Sequence, residues 1–232
     1  MLQARDFQHI VVLSGAGLSA ESGLKTFRDA DGLWEGHKVE DVCSPEAFER
    51  SPETVLHFYN ERRAQLAQAK PNAAHQALAD FQHRHPSKIT LITQNVDDLL
   101  ERAGANKVIH MHGELLKGLC TACSERFEWL LPMFKESLCP KCHKLGHIRP
   151  DIVWFGELPY HMRAIEHALT QCDLFVAIGT SGNVYPAAGF VSHANSAGAE
   201  TIELNLENSN SPWFSEKHRG LASELVPQMF RL

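Results

Sequence analysis

His9-Ile10-Val11-Val12-Leu13-Ser14-Gly15-Ala16-Gly17-Leu18-Ser19-Ala20 decides the fold of this 232-residue chain. An apolar run of strand length, His9–Leu13, passes directly into a glycine loop. That loop fits G-x-G-x-x-G/A, a pattern whose glycines let the backbone turn tightly and approach a pyrophosphate at a helix N-terminus. Apolar runs of the same length recur at Ile89–Thr93, Leu174–Ile178 and Thr201–Leu204, each followed by turn residues and a longer helix-like stretch. The rhythm predicts an α/β protein with a parallel sheet, in which ligands bind at the C-terminal strand ends. Gly179-Thr180-Ser181 stands at one such end.

Two excursions interrupt the sheet-forming sequence. The first, Ser44 to Arg84, reads as mostly helical, with Pro45, Pro52 and Pro71 where helices begin or break. Between the excursions, Val96 to Gly104 has apolar residues at helical spacing and Gly104 as the helix stop. The second carries Cys120-Thr121-Ala122-Cys123 and, after fifteen residues, Cys139-Pro140-Lys141-Cys142. Each C-x-x-C pair can clamp two tetrahedral positions of one zinc ion. A closed site of four thiolates leaves no place for water or substrate, so this metal holds a small ribbon together and catalysis lies elsewhere. A dithiol redox motif is the competing reading. Cys43 and Cys172 fall outside the pattern and are expected to be ordinary buried thiols. The expected division is a large lobe from about 1–35, 86–115 and 150–232, and a smaller lobe from about 36–85 (helical) and 116–149 (zinc ribbon). A cleft should lie between them.

The formal charge of −6 creates no large basic field, so direct nucleic-acid binding is not expected. Thiols arranged for metal point to a cytoplasmic setting. The start, Met1 to Asp6, carries an acid and leads into only a short apolar stretch, which reads as neither signal peptide nor membrane span.

The glycine loop alone is a weak signal. A dehydrogenase would continue through a helix into a second strand ending in an acid that grips the adenine ribose, about twenty residues on. Here Glu21 to Trp34 has no strand-like alternation, and Glu40 and Asp41 occur near the right distance without that strand. A nicotinamide cofactor is retained as the expectation; hydride transfer is not.

A wider set of motifs carries a family resemblance. Gly15-Ala16-Gly17-x-Ser19 with Gly23, Phe27-Arg28 and Gly32-Leu33-Trp34 is followed by Thr93-Gln94-Asn95-Val96-Asp97, His112-Gly113 and the paired cysteines. Val153-Trp154-Phe155-Gly156-Glu157, Gly179-Thr180-Ser181 and Asn205-Leu206-Glu207 complete the series. Their order resembles that of the sirtuins along nearly the whole chain, and within them the bacterial members of the desuccinylase and demalonylase branch. The resemblance implies a Rossmann-like domain with a zinc-bearing lobe and NAD-dependent deacylation of protein lysines. In that reaction the acyl-lysine oxygen attacks the ribose carbon that carries nicotinamide, and the acyl group ends on ADP-ribose. It also implies a base at His112, aided by Asn95, with Gln94, Asn95 and Asp97 holding ribose and nicotinamide. Gly15, Ala16, Gly17, Ser19, Arg28 and Trp34 would lie along the dinucleotide, with Phe27 covering the reactive centre. Gly179, Thr180, Ser181, Asn205, Leu206, Glu207 and Ala222 would take the adenosine side. Val153, Phe155, Gly156 and Glu157 would pair with substrate backbone as a strand.

Each assignment has a plainer alternative: Asn95 and Asp97 suit a helix N-cap, and Phe27 suits a core. Regular alternation would put His110 on the same face as His112, so periodicity alone does not choose the base; the His-Gly pair of the resemblance selects His112. Tyr59 and Arg62, three apart, project from one helix face and can receive a carboxylate, which suits succinyl- or malonyl-lysine, with acetyl-lysine also turned over. A solvated helix face is the plain alternative. Ala30 resembles the small residue that leaves that branch's acyl pocket wide. A zinc-containing NAD oxidoreductase and a non-catalytic NAD-binding module are the competing functions. The former rests on the glycine loop alone, and the latter is disfavoured by intact His112 and Asn95.

Overall fold

The computed structural model describes residues 3–25 and 37–231, with the backbone of 33–34. Its first half contains β1 (Ile10–Ser14), α1 (Gly17–Ala20), β2 (Leu33–Trp34), β3 (His37–Lys38), α2 (Val39–Val42), α3 (Pro45–Arg50), α4 (Pro52–Gln68) and α5 (Ala73–Arg84). There follow β4 (Ile89–Thr93), α6 (Leu99–Arg102), β5 (Ile109–His110), β6 (Gly113–Cys120), β7 (Arg126–Glu128) and β8 (Ile148–Ile152). The chain continues through α7 (Met162–Gln171), β9 (Leu174–Ile178), α8 (Phe190–Ser196), β10 (Glu200–Asn205), β11 (Glu216–Arg219) and α9 (Ala222–Met229).

Six strands form a parallel sheet in the order β11-β10-β9-β1-β4-β5. Every residue of β1 and β9 is buried, because helices cover both faces. Ile10 and Val12 point to one side, with Leu78 and Phe81 of α5 and Val226 of α9; Val11 and Leu13 point to the other, with Leu169 of α7 and Phe190 of α8. The chain leaves β1 toward β4 and β5, then returns to build β9, β10 and β11 on the opposite flank. The crevice at the C-terminal ends of β1 and β9 is therefore the topological switch point, where open α/β sheets bind ligands.

The helical excursion begins its helices where its prolines stand. Pro45 and Pro52 open α3 and α4, and the Ser44 hydroxyl accepts the Ala47 N–H at 3.1 Å. Pro71 precedes Asn72, which caps α5: its side chain accepts from Ala74 and His75, while its own N–H donates to His75 Nδ1. Although α5 lies within the 36–85 segment expected in the smaller lobe, its Ala74, Leu78 and Phe81 sit in the core of the large sheet. The Val96–Gly104 helix is shorter than its spacing predicts, starting only at Leu99, because residues 94–98 form a loop. Gly104 does follow its end, at φ +105°.

The smaller lobe packs Phe58, Tyr59 and Leu66 of α4 against Leu115, Ile152 and Trp154. Its antiparallel sheet, β7-β6-β8, runs from the switch point to the cysteines. No helix among the described residues is long and apolar enough to cross a membrane.

Asn72→Ala should lower stability by about 1–2 kcal/mol, the upper part of the range for a lost N-cap. Its Nδ2 also donates to the Leu18 carbonyl at 2.8 Å, so the change loosens α1 as well. In urea the midpoint should fall with an unchanged slope; an unchanged midpoint would show the cap to be dispensable.

Candidate active site

A cavity of about 820 Å³ opens at the switch point between the lobes. Its walls bring together Gly15, Ala16, Gly17 and Ser19 after β1, Gln94, Asn95 and Asp97 after β4, Gly179, Thr180 and Ser181 after β9, and Asn205, Leu206 and Glu207 after β10. His112, Tyr59, Arg62, Val153, Phe155, Gly156 and Glu157 complete the expected set. Phe27, Arg28 and Ala30 lie outside the described residues, and of Trp34 only the backbone in β2 is described. Ala222 is not brought in: it is buried at the start of α9, against the sheet.

Side chains tie the strand ends across the crevice. Gln94 Nε2 donates to Thr180 Oγ1 at 3.0 Å, and Asn205 Nδ2 to the Thr180 carbonyl at 2.8 Å. Asn95 Nδ2 donates to the Gly15 carbonyl at 3.1 Å and to Ser19 Oγ at 3.2 Å. Ser19 Oγ in turn donates to Asp97 Oδ2 at 2.9 Å. Burial pushes the Asp97 carboxyl up from its usual range, against the Leu99 N–H and Ser19 that favour its charge.

Sequence reasoning missed His75, which closes this network. It is fully buried, and burial pushes its pKa down to about 4, so the ring is neutral near pH 7. Because Nδ1 accepts from the Asn72 N–H, Nε2 carries the proton and donates to Ser19 Oγ at 3.3 Å. The signal was present: His75 occupies the third helical position after the cap, where a capping box ordinarily has Glu or Gln.

His112 and His110 part company. β5 ends at His110, and Gly113 has φ +82°, with a Cβ there running into the Asp151 carbonyl. The turn this permits leaves His112 in the cavity wall, while His110 is buried behind it against Glu101. His112 Nδ1 lies 3.1 Å from the Gln94 carbonyl, which places the neutral ring's proton there and leaves Nε2 as the basic nitrogen. Burial holds its pKa below the ordinary histidine value, although the carbonyl opposes this.

The opposite wall is built without a strand of its own. Residues 153–157 are not a strand: Val153 N–H donates to His112 O, Trp154 N–H to Glu157 Oε2, Phe155 N–H to Cys43 O, and Glu157 N–H to Trp154 O. These bonds engage the N–H groups of Val153, Trp154, Phe155 and Glu157 within the chain. Arg149, also missed, fixes it by gripping Glu157 at 2.6 and 2.9 Å and lying 3.5 Å over the Trp154 ring.

Arg62 is buried beside this wall. Its Nε and Nη1 have no hydrogen-bond partner among the described residues, its Nη2 is 3.8 Å from Glu61, and its guanidinium lies 4.5 Å from the Phe58 ring. Tyr59 is wholly buried, and its hydroxyl accepts the Trp154 Nε1–H at 2.9 Å and meets Cys43 Sγ at 3.3 Å. Burial pushes the Cys43 thiol up to about 12, the ordinary buried thiol expected; Cys172 is likewise buried.

At the far end of β6 the sulfurs of Cys120, Cys123, Cys139 and Cys142 all lie within 4.8 Å of one another. The 3.7 Å and 3.9 Å separations of Cys120–Cys142 and Cys123–Cys139 match the edge of about 3.8 Å of a tetrahedron with 2.3 Å zinc–sulfur bonds. N–H groups of Lys141 and Cys142 point at Cys139 Sγ, as thiolate ligation favours. The cluster fits one structural zinc.

A dinucleotide-sized crevice flanked by a parallel sheet and a four-cysteine ribbon defines the sirtuin class. A sequence profile of the Sir2 family matches residues 15–186. An NAD-dependent protein deacylase from Bdellovibrio bacteriovorus is 53% identical over 230 residues, covering 98% of this chain and 97% of the relative. A solved Sir2 homolog–NAD complex superposes with a TM-score of 0.90 at 38% identity, covering 99% of this chain and 90% of that one. A Sir2 protein bound to acetylated peptide gives 0.83 at 28%, covering 97% and 93%. This chain belongs to the Sir2 family, whose co-substrate is NAD.

Cys139→Ser should lose zinc and lower the melting temperature, since three remaining thiolates leave the tetrahedron open. Full metal content with unchanged melting would contradict a closed four-cysteine site.

Proposed function

We propose that this Sir2-family chain is an NAD-dependent protein lysine deacylase that removes succinyl and malonyl groups and also acetyl groups. Overall, acyl-lysine, NAD and water give free lysine, nicotinamide and O-acyl-ADP-ribose. The observation that carries the reading is the presence, on one cavity, of a basic imidazole nitrogen and a buried guanidinium with two nitrogens unmatched among the described residues.

In this reading His112 Nε2 takes a proton from a ribose hydroxyl, and its depressed pKa keeps the base free at neutral pH. Asn95 and Asp97, held through Ser19 and His75, present polar atoms to ribose and nicotinamide. Phe27 and Arg28 are assigned by resemblance to the reactive centre and the pyrophosphate. The substrate peptide docks beside Gly156 along the exposed Phe155 and Leu158, with its lysine directed inward. The ribbon zinc supplies structure and takes no part in the chemistry.

The acyl preference follows from Arg62. A buried donor left unmatched costs about 1–3 kcal/mol, which an acyl carboxylate relieves and an acetyl methyl does not. Tyr59 contributes less than a free phenol, since its oxygen already accepts from Trp154 and its hydroxyl is engaged with the Cys43 sulfur.

Mass spectrometry of acetyl-, malonyl- and succinyl-lysine peptides incubated with NAD tests the proposal. Free lysine with acyl-ADP-ribose supports it; reduced nicotinamide cofactor, or no turnover, overturns it. His112→Ala should fold and bind NAD yet lose most deacylation, and near-native turnover would remove His112 from the mechanism. Arg62→Met should cost desuccinylation about 2–5 kcal/mol, more than about tenfold in kcat/KM, with deacetylation largely kept. Equal loss of both activities would make Arg62 structural.

A further inference from the structure

The two histidines on either side of Met111 hold successive carbonyls of the loop after β4. His112 meets Gln94 O, and His110 Nδ1 lies 3.3 Å from Asn95 O. The other ring nitrogen of His110, Nε2, lies 2.8 Å from Glu101 Oε1 on α6. A carbonyl oxygen and a carboxylate can only accept, so bonds to both require a proton on each ring nitrogen. A ring with one proton turns a lone pair toward either the Asn95 carbonyl or the Glu101 carboxylate.

We propose that His110 is a positioning residue that works as an imidazolium, bridging Glu101 to the Asn95 carbonyl and so fixing the Asn95 side chain at the NAD site. This inference rests on the NAD reading of the cavity. The Asn95 peptide is already tied by its N–H to Thr93 Oγ1 at 3.0 Å, and its side-chain amide reaches the glycine loop and Ser19. The carbonyl that His110 holds belongs to the next peptide, so the Asn95 Cα is fixed from both sides and its side-chain amide with it. The hydrogen bond of the His110 ring to the crevice runs through this loop, so its effect should appear in co-substrate binding before it appears in the chemical step.

The surroundings favour the charge. Glu101 faces the ring from α6, Glu114 from β6 and Asp97 from the loop itself. Behind the ring is a second cavity of about 450 Å³, whose two cations are both paired: Lys117 with Glu114 at 2.5 Å and Arg126 with Asp151 at 3.1 Å. Glu128, Tyr160 and His161 complete the titratable groups of that cavity. Burial opposes the charge on His110, but the bond to Glu101, its charge and that of Glu114 outweigh it, so the pKa lies above the ordinary histidine value. The cation is favoured over that of an ordinary histidine and is lost as pH rises through that raised pKa. His112 has the opposite requirement, since it must be neutral and its pKa is lowered. NAD use should therefore be bounded by His112 on the acid side and by His110 on the alkaline side.

Two measurements on the full chain test this. In spectra of protein labelled with 15N-histidine, with His110 resonances assigned by their loss in His110→Gln, both ring nitrogens of His110 should carry protons at pH 7. Glu101→Gln should move its titration to lower pH. In kinetics across pH 6–9.5, KM for NAD should rise on the alkaline side of the wild type by about tenfold or more, the scale of a lost charged hydrogen bond. The rise should come earlier in Glu101→Gln and vanish in His110→Gln, which should show a raised KM with no alkaline increase. All three should share the acid limb and a similar melting temperature. A singly protonated His110 ring at pH 7, or the same alkaline rise in all three proteins, overturns the proposal. A wild type that turns over no NAD overturns the functional reading and the coupling to NAD with it, while the spectrum separately decides the charge.

Discussion

Backbone lies against backbone where β1 and β9 end, and the rest of the molecule is arranged around that contact. Gly17 N–H donates to Gly179 O at 2.9 Å, and a Cβ on Gly17 would fall 2.6 Å from the Gly179 Cα. A Cβ on Gly15 would meet the same carbonyl at 2.7 Å, and Gly179 itself sits at φ +58°. The two strand-end loops can be this close only without side chains. Their closeness leaves a bare floor, and the bulkier groups of the crevice, Gln94, Asn205 and Thr180, are set around it by hydrogen bonds. The short α1 can then turn back under the loop, held by Asn72 from a helix of the neighbouring layer.

Two buried arginines in the cleft illustrate opposite uses of one side chain. Arg149 spends its donors inside the protein, on both oxygens of Glu157 and on the carbonyls of Pro150 and Ile152, and its plane lies over Trp154. Burial raises the Glu157 carboxyl, but Arg149 and the Trp154 N–H outweigh it and hold the pKa below the usual range. The result is a fixed wall. Arg62 is nearly as buried, yet two of its nitrogens find no acceptor among the described residues. Such a group is expensive in a finished interior and useful in an unfinished one.

Much of this was legible in the sequence because the signals were local. Runs of buried residues marked β1, β4, β9 and β10 to within a residue or two, prolines marked the starts of α3 and α4, and cysteine spacing marked the metal ribbon. What failed to show depended on distant partners. Val153 to Glu157 reads as extended and apolar, but the N–H groups of Val153, Trp154 and Phe155 go to His112, Glu157 and Cys43, and no local pattern announces that. The spacing from Val96 predicted a longer helix because Asn95 and Asp97, engaged with Ser19, hold the loop open before Leu99. Strand alternation put His110 beside His112, and only the left-handed turn at Gly113 separates them. α5 was assigned by its place in the chain, while its apolar face answers to the central sheet.

The order of strands also governs how the chain can fold. Ile10 pairs with Ile89 on one side and with Leu174 on the other, so the middle strand of the large sheet acquires both neighbours only through long loop closures. Contacts so distant in sequence form slowly. The cysteine ribbon is the reverse case, with all its ligands between Cys120 and Cys142 and its strands joined as an antiparallel pair. A newly made chain would thus complete its metal-bound ribbon while the large sheet still lacks its centre. The crevice, built from the ends of β1, β4, β9 and β10, would be among the last features to exist.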